Sequence, residues 1–109
     1  MTSCVRGQVY WATFDDAIGR TPWLVVSNNV RNRRLADVLV ARITTSPKPP
    51  ITSIVELPHG ACIVGSVLCD DLLTMYEADA PELVGALSRA TMHRVDAALA
   101  AALGVGSSA

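Results

Sequence analysis

The sequence predicts an α+β fold, a small antiparallel sheet or barrel of five to six strands followed by one main helix. Three observations carry this. Short runs rich in β-branched and aromatic residues, separated by Gly, Pro, Asp and Asn, occupy most of the chain up to Asp79. Beyond that point the texture turns alanine- and leucine-rich, with apolar residues spaced by three and four. The chain has 109 residues, half of them apolar and 17% charged, which suits one globular domain over 1–109 and excludes a disordered adaptor.

Taken in order, residues 8–14 (QVYWATF) read as a strand ended by Asp15 and Asp16, and residues 15–22 carry loop-forming Asp, Gly and Pro. Residues 23–27 (WLVVS) form a continuous apolar run too short for a helix. Residues 28–34 (NNVRNRR) are a polar, cationic connection with room for a helical turn. The clearest strand is 36–45, which places Val38, Val40 and Arg42 on one face and Leu39, Ala41 and Ile43 on the other.

Three prolines make residues 46–50 (SPKPP) a stiff, exposed loop. Strands at 53–57 and 62–68 follow, joined by the hairpin-like PHGA, and 72–76 adds a short strand. Pro81 suits a first helical turn, so a short helix is expected to about Leu87. Ser88 then caps the main helix, 89–103, whose Met92, Val95, Leu99 and Leu103 predict one buried stripe and which Gly104 ends. The tail, 105–109, is expected to fray.

Composition narrows the classes of function. The apolar run 97–105 is about half the roughly 20 residues that a membrane span needs. The N-terminal residues lack the pattern of a secretory signal. Three cysteines, an odd number, do not make a disulfide framework, and a cytoplasmic location is expected. The net charge of −1 argues against a uniformly basic nucleic-acid binder. Its distribution argues otherwise: up to Lys48, seven basic residues face three acids, and from Pro49 onward two face seven. A basic face within a neutral total still attracts a polyanion, because the local field does the work.

No cofactor is expected. His59, Cys62 and Cys69 lie close in sequence, but without a Cys-x-x-Cys pair and with both cysteines in or beside apolar strand residues they do not suggest a metal site. The seven glycines form no phosphate-cradling pattern. His93 reads as a solvated helical residue, and His59 has no clear partner. Trp11 and Trp23, both within strand segments, read as core. What remains is Arg20, a permanently charged fork suited to phosphate, and the hydroxyls of Thr44 and Thr45 at a strand end.

The order of short words is more specific than any one of them. RGQVYWATF, PWLVVSNN, ARITTS, GSVLCDDLLTM and GALSRATMHRVDAALAAALG, spanning Arg6 to Gly104, resemble the MazF/PemK family of toxin endoribonucleases. The resemblance implies an SH3-like barrel-type sheet of five to seven strands with a C-terminal helix, assembled as a homodimer. It implies cleavage of single-stranded RNA without metal, by attack of the ribose 2′-hydroxyl on the adjacent phosphate, and an acidic antitoxin that folds over the same surface. Thr44 falls on the family's strand-end threonine. The family arginine commonly stands directly before a proline, whereas here Thr21 precedes Pro22 and Arg20 stands one residue earlier.

Arg20 and Thr44 are therefore the expected catalytic pair. Asn28 either meets base edges or makes a turn, and Asp70 and Asp71 either accept from base amino groups or end a strand. Arg31, Arg33, Arg34 and Lys48 either track phosphates or form a solvated cationic loop. Two competing readings remain: a gyrase-binding poison of the CcdB type, which shares the fold, and a catalytically silent member that binds only its antitoxin. Against the poison, both tryptophans lie within the first 23 residues and the tail reads GVGSSA.

Overall fold

A computed structural model describes Met1 and residues 3–106. Its elements in chain order are β1 (Gln8–Ala12), β2 (Thr21–Val25), α1 (Asn29–Arg34), β3 (Asp37–Thr44), β4 (Ile54–Glu56), β5 (Ser66–Tyr76), a 3-10 turn (Glu77–Asp79), β6 (Glu82–Ala86) and α2 (Arg89–Leu103). The six strands form one sheet in the order β4-β5-β3-β2-β1-β6, with every pairing antiparallel.

Alternation along the strands gives this sheet two buried faces. On one, Val9, Leu24, Ala41, Ile43 and Val67 meet Val95 and Ala98 of α2. On the other, Tyr10, Trp23, Val25, Val38, Val40 and Met75 gather with Cys4. The facing expected for β3 is the facing observed. The sheet also curls: a side chain at Gly85 on β6 would lie 2.8 Å from Cys62 in the β4–β5 loop, although β4 and β6 are opposite edges of the strand order. That approach is what makes the sheet barrel-like.

One irregularity shapes the rest. Ala41 pairs with Leu72 while Arg42 pairs with Leu68, so residues 69–71 of β5 have no partner on β3. A bulge of this kind bends its strand and sharpens the local twist. The Cys69 N–H is satisfied elsewhere, donating to the Ser53 carbonyl at 2.9 Å. The expected strands at 62–68 and 72–76 are thus one strand, beginning at Ser66 and bent in the middle. Cys62 is in the loop and exposed, because Gly65 at φ 136° turns the chain there before pairing starts.

The segment 81–87, expected as a helix, is instead the edge strand β6. Its backbone pairs with β1 from Gln8–Ala86 to Trp11–Glu82. A five-residue stretch containing Gly85 is too short to sustain a helix alone, and the ladder offered by β1 decides its conformation. The main helix matches the expected span. Ser88 accepts from the Thr91 N–H at 3.1 Å, and Gly104 adopts φ 71° at its end. The expected stripe packs on the sheet at Met92, Val95 and Leu99, joined by the buried Thr91 and Ala98, whereas Leu103 is 62% exposed beyond the sheet. The Val105 N–H closes back on the Ala100 carbonyl at 2.9 Å, and the rest of the expected frayed tail, 107–109, lies outside the described residues.

Two stability predictions follow from this packing. A Cβ at Gly65 would sit 2.6 Å from the Thr44 carbonyl oxygen, at a φ that L residues rarely adopt. Gly65→Ala is expected to lower the unfolding free energy by about 2 kcal/mol or more, read as a lower urea midpoint. Burial pushes the Cys69 thiol up from 9.0 to about 11, with the neighbouring Asp70 charge adding to it. Burial also pushes the Tyr10 hydroxyl up from 10.0 to about 12, reinforced by the neighbouring Cys4 thiol. Each group ionises more readily in the unfolded chain, so its contribution is complete below the unfolded value and is lost as pH rises through the folded one. Urea midpoints should fall from pH 9 to 11, and Cys69→Ala should flatten that part of the profile.

Candidate functional site

β3 ends at Thr44 because its last rung, with Ser66, is followed by the proline-rich loop 46–50. Thr44 stands at the edge of an open groove of about 730 Å³, walled by that loop, by the β4–β5 loop and by one side chain of α2. The Thr44 Oγ1 accepts the Ser46 N–H at 3.2 Å. That bond uses a lone pair and leaves the hydroxyl proton available to donate. Directly behind Thr44, Gly65 approaches the backbone too closely for any side chain.

The β4–β5 loop is pinned at both sides of its tip. The Leu57 N–H donates to the Gly65 carbonyl at 2.9 Å, and the Ala61 N–H closes on the Pro58 carbonyl at 3.2 Å. With Gly60 at φ 84°, residues 58–61 make a turn with glycine where a positive φ is needed. His59 projects from this turn into the groove. From the helix side comes Arg94, whose Nη1 donates to the Glu56 carbonyl at 3.1 Å. Lys48 adds a second permanent cation, against the single carboxylate of Glu56.

This set offers a hydroxyl donor, an imidazole able to give and take a proton, and two cations facing a space open to solvent. Such a surface suits a phosphodiester. Among the described residues no three His, Cys, Asp or Glu side chains come together as a metal ion would require.

The expected site residues divide among four places. Thr44 and Lys48 share the groove. Arg20 sits in the loop before β2 and is exposed, with its Nη2 2.8 Å from Glu82 Oε2 on β6 rather than among the groove walls. Asp70 and Asp71 lie on the β5 bulge, Asp70 exposed. Asp71 lines a second hollow of about 390 Å³ with Arg42, Trp23 and Phe14. There the Arg42 Nη1 stands 3.7 Å from Asp71 Oδ2 while its Nε is buried without a partner.

Asn28, Arg31, Arg33 and Arg34 belong to α1, at the opposite end of β3 from Thr44. Seven residue steps of about 3.3 Å make that separation roughly 23 Å. Asn28 caps α1, its Oδ1 accepting the Arg31 N–H at 2.8 Å. Arg31 is held by Asp37 at 2.5 Å, and Arg33 and Arg34 are exposed.

Two groove residues escaped the sequence reading. His59 had no visible partner, although Pro-His-Gly-Ala is itself a turn that presents its second residue. Arg94 carried no signal at all, because only the packing of α2 on β4 and β5 brings it to the groove.

Comparison with known proteins converges on one family. Residues 5–103 match the family described as PemK-like, MazF-like toxin of type II toxin-antitoxin system. The chain is 38% identical over 105 residues to the endoribonuclease MazF1 of Mycobacterium bovis, covering 96% of this chain and 97% of that protein. The same figures hold for the endoribonuclease MazF4 of Mycobacterium tuberculosis. Among solved structures, an endoribonuclease in complex with its cognate antitoxin, from a mycobacterial species, is similar with a TM-score of 0.86 and 37% identity, over 94% of this chain and 96% of that one. With the match spanning nearly the whole barrel and helix, the chain belongs to the PemK-like, MazF-like toxins of type II toxin–antitoxin systems.

Proposed function

We propose that this chain is the toxin of a toxin–antitoxin pair and an endoribonuclease that cuts single-stranded RNA at a short preferred sequence, without metal, in the cytoplasm. The observation that carries the reading is the Thr44 hydroxyl, held by Ser46 through its lone pair and free to donate into a groove with Lys48 and Arg94. In the reaction the 2′-oxygen forms a bond to phosphorus as its proton leaves, and the bond to the 5′-oxygen breaks as that oxygen gains a proton. The products are a 2′,3′-cyclic phosphate and a 5′-hydroxyl. Negative charge grows on the nonbridging oxygens of the five-coordinate phosphorus, and a fixed hydroxyl donor and a guanidinium stabilise it more than the ground state.

Arg20 is the guanidinium at the position nearest the family's. Its pair with Glu82 is exposed on both sides, and such pairs are worth about 0–1 kcal/mol, a barrier that phosphate binding offsets. Lys48 holds a phosphate in the groove. Asp70 and Asp71 read base amino groups at the bulge, and Asn28, Arg31, Arg33 and Arg34 form an outlying contact with the strand. A second copy of the chain completes the binding surface, and an acidic antitoxin segment competes for it. The unpaired outer edge of β6, with Leu83 55% exposed, supports such an assembly.

Purified protein is expected to cut labelled single-stranded RNA in EDTA, and a 2′-deoxy nucleotide at the cut site should block it. Thr44→Val should slow cleavage by about 100-fold with the fold intact. Arg20→Ala should also slow it, by about 100-fold, the lower end for removing one charge-stabilising donor. Cutting that needs a divalent ion contradicts the mechanism. Inhibition of gyrase without RNA cleavage identifies a poison, and tight antitoxin binding with no cleavage at any sequence identifies a silent member.

A further inference from the structure

We infer that Arg94 is a catalytic residue of this reaction, its guanidinium binding the scissile phosphate from the helix side of the groove and taking up charge as the five-coordinate phosphorus forms. The inference rests on the proposed RNA-cutting role of the Thr44 groove. Arg6, Arg20, Arg31 and Arg42 each face a carboxylate, at 2.7, 2.8, 2.5 and 3.7 Å. Arg33 and Arg34 lie on α1, and Arg89 opens α2 outside the groove. Arg94 is the one arginine in the wall of the groove that holds Thr44.

Its placement is also fixed from two directions. The neighbouring Val95 is fully buried against the sheet, which fixes that turn of α2. The guanidinium is then tied by Nη1 to the Glu56 carbonyl at 3.1 Å. A carbonyl orients the fork without neutralising it, and the remaining N–H groups keep their capacity to donate. A phosphate brought to Thr44 meets a cation whose position is already set, so little reorganisation accompanies the growth of charge. Arg94 neither gives nor takes a proton; the bond changes remain those between the 2′-oxygen, phosphorus and the 5′-oxygen. Arg20, by contrast, comes from the loop before β2 and must first leave Glu82.

The test uses single-turnover cleavage of an RNA carrying one mapped site, with urea unfolding of each variant. Arg94→Ala should cut about 100-fold more slowly at an unchanged urea midpoint. Free guanidinium ion at millimolar concentration should restore part of the lost rate to Arg94→Ala and none to Thr44→Val. Arg94→Lys should recover only a fraction, because an ammonium lacks the planar fork. Arg89→Ala, on the same helix but outside the groove, should cut at the wild-type rate. Should Arg94→Ala fold poorly, Arg94→Gln keeps a donor for the Glu56 carbonyl and should show the same loss. Cleavage by folded Arg94→Ala or Arg94→Gln within threefold of wild type overturns the inference, as does a loss that guanidinium cannot restore. Absence of cleavage by the wild-type chain overturns the proposed function and this inference together.

Discussion

Eleven residues of β5 pair with eight of β3 only because three of them, 69–71, pass without a partner. The rest of the architecture depends on this mismatch. Cys69 stays in the core, with its thiol kept neutral by burial, while the two acids beside it are carried toward the surface. Because the strand bends at this point, its first three rungs are shared with β4 as well as β3. The loop following β4 then reaches across to Gly85 on the far edge. Closure of the sheet and the position of the groove are two results of one irregular ladder.

Glycine serves the same geometry at close quarters. Gly65 allows the β4–β5 loop to come against the backbone of Thr44, and Gly85 allows that loop to lie on β6. A side chain at either position would push the loop outward and widen the groove. The site is therefore built from backbone approach as much as from its polar side chains, and stability and function are coupled at Gly65.

The electrostatics are local. Four of the nine basic side chains are matched by carboxylates in the fold, which explains how a chain of net charge −1 still keeps cations for an anionic substrate. The basic character of the first 48 residues does not become one continuous patch. Arg31 is engaged at the junction of α1 and β3, and Arg33 and Arg34 lie beside the end of β3 away from Thr44, a strand roughly 23 Å long. Lys48 and Arg94, from opposite halves of the sequence, meet instead at the groove.

Local chemistry accounts for what could be read in the chain directly. The facing of Val38, Val40, Leu39 and Ile43 follows from a period of two, and the span of α2 from Ser88 and Gly104 at its ends, since both depend on neighbours a few residues away. The end of β3 near Thr44 was legible because a strand end before a proline-rich loop is also a local event. Residues 81–87 form a strand rather than the expected helix because their own preferences are weak and pairing with β1 overrides them. The joining of 66–68 to 72–76 in one strand, the ion pair of Arg20 with Glu82, and the entry of His59 and Arg94 into the groove all arise between segments far apart in sequence. No local pattern encodes such contacts; they exist only once the bent strand has brought the loops and the helix together.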